Sequence, residues 1–72
     1  MEREYYDKSI KIDFELPNYI KVAIENLINE RKKEKSLQVD LYEEELMAEL
    51  NRAMCDGYIT QAEVILLRKK YI

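Results

Sequence analysis

The chain has 72 residues, of which 47% are hydrophobic and 38% charged, and its net charge is −3. This length and balance are typical of one small folded domain, which we assign to residues 1–72. With one cysteine, no histidine and no long apolar run, the sequence excludes an intrachain disulfide, the common zinc sites and a membrane span.

The sequence carries no set of residues typical of catalysis. Cys55 is the only thiol, and there is no histidine to deprotonate it. The single glycine excludes a glycine-rich phosphate loop. We therefore expect no enzyme activity and no cofactor or metal. The lone cysteine and the lack of a signal peptide favour the cytoplasm. The negative net charge argues against a nucleic-acid partner, and the small size leads us to expect a homo-oligomer.

The N-terminal part predicts an irregular lead over residues 1–8 and then a β-strand. Residues 9–16, SIKIDFEL, alternate between apolar and polar side chains. Alternation with β-branched and aromatic residues is typical of a strand with one buried face. Pro17 ends the strand, since it suits the first turn of a following helix. The face that we expect to be buried contains Ile10, Ile12, Phe14 and Leu16.

Three amphipathic helices are predicted to follow, at 17–34, 41–55 and 61–71. In each of these segments apolar residues repeat with helical spacing. The fold class is therefore mainly α, with an N-terminal strand followed by three helices. The predicted core of the helical part consists of Ile20, Ala23, Ile24, Leu27, Ile28, Leu46, Leu50, Ala53, Met54, Ile59, Ile65 and Leu66.

The connection between the first two helices leaves two interpretations open. Residues 36–41, SLQVDL, could form a short strand beside the N-terminal one, or an extended loop whose Asp40 caps the next helix. We prefer the loop. A single strand cannot satisfy its own backbone groups, so the predicted strand must pair either with this segment or with a second chain.

The last two helices are predicted to form an αα-hairpin, because the sequence carries a stop signal and a start signal. Gly57 can take the left-handed conformation that ends a helix. Thr60 and Glu63 match the S/T-x-x-E capping box, which places the start of the third helix just after Thr60.

This turn also resembles the second half of a calcium-binding loop. Gly57, Ile59 and Glu63 match its sixth, eighth and twelfth positions. Arg52 and Met54 occupy the first and third positions, where the loop needs oxygen ligands. We therefore assign Gly57, Thr60 and Glu63 to the turn and its cap, and no residue to a metal.

The third helix is apolar nearly all round over residues 64–67. Such a helix is usually buried on more than one side, either in the centre of the fold or against a partner chain. Tyrosine is also enriched in interfaces, although packing at the edge of the core is its alternative role. The candidate interface residues are Tyr58, Val64, Leu67 and Tyr71.

The order of strand, Leu-Pro and helices in SIKIDFELPNYIKVAIENLI and LYEEELMAEL is similar to ribbon-helix-helix DNA-binding proteins. The resemblance implies that strands of two chains pair and that Lys11, Asp13 and Glu15 face the major groove. Such a dimer would present two lysines and four carboxylates, which would repel phosphates. Our first hypothesis is therefore a non-catalytic accessory protein that binds another protein, and a DNA-binding regulator is the alternative.

A second resemblance covers the C-terminal half of the chain. The pattern L-x-x-x-L-N-x-A-x-x-D-G-x-I-T-x-x-E-x-x-x-L-R-K-K-Y, from Leu46 to Tyr71, resembles a group of short uncharacterised proteins from Firmicutes that often lie near mobile elements. That group also has a leading strand and an amphipathic helix. The resemblance implies a bacterial origin and brings no activity with it.

Overall fold

Three stretches with helical spacing of apolar residues form three helices in the computed structural model, which describes residues 5–72. They are α1 (Asn18–Arg31), α2 (Val39–Cys55) and α3 (Gln61–Tyr71). The prediction of a mainly helical fold is confirmed. In the described part of the chain, no helix is long and apolar enough to cross a bilayer.

The predicted N-terminal strand is wrong for the described residues. Residues 9–16 form no β-ladder within 5–72, although their alternation correctly indicates which side chains face inward. Ile12, Phe14 and Leu16 are partly buried against the helical core, whereas Lys11, Asp13 and Glu15 are exposed. Alternation reports one buried face, but a ladder also needs a neighbouring strand, and residues 5–72 provide none. The first four residues of the predicted irregular lead lie outside the described residues.

Of the two interpretations of the connection between α1 and α2, the preferred loop holds for residues 36–38, whereas the short strand and the cap by Asp40 are wrong. The helix α1 ends at Arg31 rather than at residue 34, and α2 already begins at Val39. The N-cap of α2 is Gln38, whose backbone N–H donates to Ser36 Oγ at 3.3 Å. Asp40 lies inside the first turn, where a negative charge favours the helix dipole without acting as the cap.

The helices α1 and α2 run antiparallel and form the larger helix–helix contact. Arg31 at the end of α1 pairs with Glu43 near the start of α2, with Nη2 and Oε1 2.9 Å apart. At the other end, the Arg52 guanidinium lies 5.2 Å from the centroid of the Tyr19 ring. The buried apolar core contains Ile20, Ile24, Leu27, Leu46, Leu50, Ala53, Ile59, Val64 and Leu67.

The rotation of α3 about its axis differs from the prediction. Ile65, which we expected in the core, is 47% exposed, and Leu66 is only half-buried. Val64 and Leu67, two of the three predicted interface residues inside α3, lie in the core of the chain itself. A run that is apolar nearly all round contains no periodic signal, so the preceding turn decides which side of the helix is buried.

That turn consists of a motif that ends α2, followed by a motif that starts α3. Gly57 has φ +82°, and its N–H donates to the Met54 carbonyl at 3.1 Å. The next N–H, of Tyr58, reaches back to the Ala53 carbonyl at 2.9 Å. These two bonds form a Schellman motif, which satisfies carbonyls that the end of α2 leaves free.

The capping box then starts α3. The Glu63 N–H donates to Thr60 Oγ1 at 3.2 Å, and the Thr60 N–H donates to Glu63 Oε1 at 2.8 Å. Ile59, between the two motifs, is buried. The residues that the sequence assigns to the turn therefore fix both helix ends around one apolar anchor.

We expect substitutions in this turn to lower the stability of the protein according to the backbone strain that they add or the capping hydrogen bond that they remove. A Cβ at Gly57 would meet no atom within 4 Å, so Gly57→Val should lose at least about 1 kcal/mol from its left-handed backbone alone. Thr60→Ala should lose about 1 kcal/mol with the cap, and Glu63→Gln should be mild because glutamine also accepts the Thr60 N–H. Thermal melts measure all three, and a Gly57→Val protein that melts like wild type would contradict the assigned turn.

A pair of alanine substitutions tests the rotation of α3. Leu67 is completely buried, so Leu67→Ala should destabilise the protein by about 3 kcal/mol through lost burial and a cavity. Ile65→Ala, on the same helix, should change stability by only about 0.5 kcal/mol. Urea denaturation of both variants provides the comparison. Equal losses would mean that the buried side of α3 is assigned incorrectly.

Candidate interaction surface

A cleft of about 770 Å³ lies where the N-terminal segment crosses the C-terminal ends of α1 and α3. This size falls within the range of small-molecule sites. Its lining is rich in tyrosines and cations, with Tyr5, Tyr6, Arg31, Lys33, Lys69, Lys70 and Tyr71 among the contributors. The positive charge suggests an anion site. The cleft can serve as one only if its cations are not already bound to groups of the chain.

Most of these cations already bind groups of the chain itself. Arg31 donates from Nη1 to the Tyr5 carbonyl at 2.7 Å, in addition to its pair with Glu43. The Lys70 ammonium donates to the carbonyls of Asp7, at 3.1 Å, and of Ile10. Lys33 pairs with Glu30. The cleft is therefore the place where the N-terminal segment is fastened to the helices. Within residues 5–72, Lys69 is the cation of this cleft without a hydrogen bond or ion pair.

The tyrosines of the cleft also help to attach the N-terminal segment to the helices. The rings of Tyr6 and Tyr71 lie 5.7 Å apart, and the Lys70 ammonium is 5.1 and 5.6 Å from their respective centroids. Burial, followed by the neighbouring Tyr6, raises the pKa of Tyr71. Tyr71 thus packs at the edge of the core. Of the four predicted interface residues, Tyr58 is the one that is well exposed, at 65%.

Glu30 is a buried carboxylate that the sequence analysis did not identify. It is only 6% exposed, accepts a hydrogen bond from Ser36 Oγ at 2.6 Å, and lies 3.0 Å from the Lys33 ammonium. The hydrogen bonds from Ser36 and then Lys33 lower the pKa of Glu30, against the opposing effect of burial. This pair of contacts closes the loop after α1. The spacing of a glutamate, a lysine three residues later and a serine six residues later was its only sequence signal.

At the predicted turn, a guanidinium lies close to the neighbouring carboxylates. Arg52, at the first position of the calcium-like pattern, lies 3.9 Å from a Glu49 carboxylate oxygen and 4.0 Å from one of Asp56. No group of three or more acidic, cysteine or histidine side chains that could hold a metal occurs within residues 5–72. Cys55 is exposed in the last turn of α2.

The solvent side of α3 carries a mixed apolar and basic surface, which we call the α3 stripe: Ile65, Arg68, Lys69 and Ile72. Its four members are spaced as one helix face and line a shallow groove of about 280 Å³. Ile65 and Ile72 are 47% and 43% exposed. Within residues 5–72, neither Arg68 nor Lys69 forms an ion pair. The stripe therefore combines accessible apolar area with two charges that have no ion-pair partner among the described residues.

Comparison with known proteins adds no assignment to this geometry. No protein-family model matches the chain, and no curated protein or solved structure shows significant similarity to it. The resemblance to short Firmicutes proteins near mobile elements stays a prediction. The function must therefore be argued from the surface itself.

The Glu30 contacts predict an acid-side loss of stability. Because the folded protein lowers the pKa of this carboxyl, its contribution is present above the ordinary glutamate pKa of about 4.3 and disappears as the pH falls through the lowered value. The stability difference between wild type and Glu30→Gln should therefore stay constant from neutral pH down to about 4.3 and shrink as the pH falls further. Urea denaturation at several pH values measures it.

Taking the difference between these two proteins removes the contribution of the other carboxyl groups, which both share. Ser36→Ala serves as a second variant, since it removes the first of the two hydrogen bonds and leaves the carboxyl in place. A wild-type advantage that stays constant with pH would contradict the role assigned to Glu30.

Proposed function

We propose that the protein is a non-catalytic cytoplasmic accessory module that binds another protein through the α3 stripe. The observation that carries this proposal is the exposure of Ile65 and Ile72 beside Arg68 and Lys69, which have no ion-pair partner in residues 5–72. Apolar side chains with a charged margin are typical of binding surfaces.

Two further features support binding rather than catalysis. The sequence has no histidine to activate a nucleophile. Cys55, its only thiol, lies at the C-terminal end of α2, where the helix dipole disfavours a thiolate. The single cysteine also remains the reason for proposing the reducing environment of the cytoplasm.

The DNA-binding alternative receives no support from the described residues. It requires Lys11, Asp13 and Glu15 on a paired ribbon, and residues 9–16 form no ladder within 5–72. These three side chains are exposed, but together they carry a net negative charge, which is the wrong sign for contact with phosphates.

The proposal is tested by placing a charge in the apolar part of the α3 stripe. Immobilised protein carrying Ile65→Asp should lose a protein that wild type captures from native lysate, because an unpaired carboxylate would be desolvated in the contact. Val22→Asp on α1 is the matched control, since Val22 is 45% exposed and lies outside the stripe. Circular dichroism should show both variants to be folded.

Capture that survives Ile65→Asp, or that Val22→Asp removes equally, would contradict the role of the α3 stripe. The whole proposal would fail if wild type captured no protein and also remained monomeric in light scattering.

A further inference from the structure

The solvent side of α2 carries a second surface with the same spacing as the α3 stripe. We call it the α2 stripe: Leu41, Glu44, Glu45 and Ala48. All four residues are exposed, and Leu41 is 57% exposed. Within residues 5–72, neither Glu44 nor Glu45 forms an ion pair. The α2 stripe is therefore acidic where the α3 stripe is basic.

The two stripes are complementary position by position. Each has an apolar residue at both ends and two like charges between them, at spacings i, i+3, i+4 and i+7. If α2 and α3 of different copies lie antiparallel, Leu41 meets Ile72 and the small Ala48 meets Ile65. Glu44 and Glu45 then meet Lys69 and Arg68. All eight side chains are exposed in the single chain, so this contact needs a second copy.

Helix dipoles account for only part of this pattern. Arg68 and Lys69 lie in the last turn of α3, where the dipole favours cations. Glu44 and Glu45 lie beyond the first turn of α2, which starts at Val39, so the dipole has little influence on them. Nor does the dipole explain the exposure of Leu41, Ile65 and Ile72. A contact between the two stripes accounts for both the charges and the apolar residues.

We propose that the protein forms a homodimer in which the α2 stripe of each copy binds the α3 stripe of the other. The inference rests on the proposed function, since it names a second copy of this chain as the occupant of the α3 stripe. Because every chain carries both stripes, a two-fold arrangement makes both contacts at once and leaves no stripe free for further growth. Association should weaken at high ionic strength, because charge pairs near the surface are screened.

Two charge-reversal variants test the pairing. The first carries Glu44→Lys and Glu45→Lys, which makes both stripes basic; the second carries Arg68→Glu and Lys69→Glu, which makes both acidic. Each variant alone should dimerise at least about tenfold more weakly than wild type, since like charges then face each other. An equimolar mixture should form a 1:1 heterodimer, in which every contact again joins opposite charges. Sedimentation equilibrium measures the dissociation constants.

Matched controls separate this pairing from general charge attraction. Glu15→Lys with Glu25→Lys, and Lys11→Glu with Lys21→Glu, change the net charge by the same amounts at exposed residues outside both stripes. Each control variant should retain the wild-type homodimer. Leu41→Asp, which alters the apolar end of the α2 stripe and no existing charge, should dissociate it. Circular dichroism of each separate variant checks that it is folded.

The outcomes decide between the two proposals. A wild-type protein that stays monomeric at all concentrations, reversed variants that dimerise like wild type, or a mixture that does not assemble would each overturn the homodimer. If the homodimer is overturned while Ile65→Asp still abolishes capture of a different protein, the proposed function stands and only the identity of its partner changes. If neither self-association nor stripe-dependent capture is found, both proposals fail.

Discussion

The turn between α2 and α3 is the constraint on which the surface of this protein depends. A left-handed Gly57 ends one helix and a reciprocal Thr60–Glu63 cap starts the next, so the rotation of α3 about its axis follows from backbone hydrogen bonds. With this rotation Leu67 enters the core, and Ile65 is left in solvent. Local turn chemistry, and not the hydrophobicity of the helix, therefore determines which residues of α3 are exposed to solvent.

The C-terminal end of α3 holds the N-terminal segment in place. Lys70, in the last turn of α3, holds the carbonyls of Asp7 and Ile10, while the Asp7 N–H donates to the Lys70 carbonyl at 2.8 Å. From this anchor the chain runs on with Phe14 and its apolar neighbours turned toward the helices. Arg31 and Lys70, two of the cations that make the cleft look like an anion site, thus have a structural role, because they satisfy backbone carbonyls that lack a sheet neighbour.

Features of this fold that depend on residues close together in sequence could be predicted, whereas features that depend on tertiary contacts could not. The helices and the hairpin turn depend on spacing within a few residues, and they were predicted with ends that differ from the structure by at most three residues, as at Arg31. The inward face of residues 9–16 was also correct, but a ladder depends on a distant neighbour that no local pattern reports. The side of α3 that enters the core and the burial of Glu30 are tertiary outcomes. Periodicity does not indicate the buried side of α3, because the helix is apolar nearly all round. The burial of Glu30 could not be predicted either, because charged residues are mostly exposed.

The small size of the domain explains why a charge pattern on its surface would be useful. A core of nine buried apolar side chains within residues 5–72 leaves little excess stability, so burial of further apolar area against another chain would have a large relative effect. Stability that depends on association also depends on protein concentration, because the partner binds only the folded form. Exposed apolar residues alone would make such a chain prone to unspecific association. In the proposed homodimer, two glutamates in one stripe and an arginine and a lysine in the other would restrict the apolar contact to a single pairing, since like stripes repel each other.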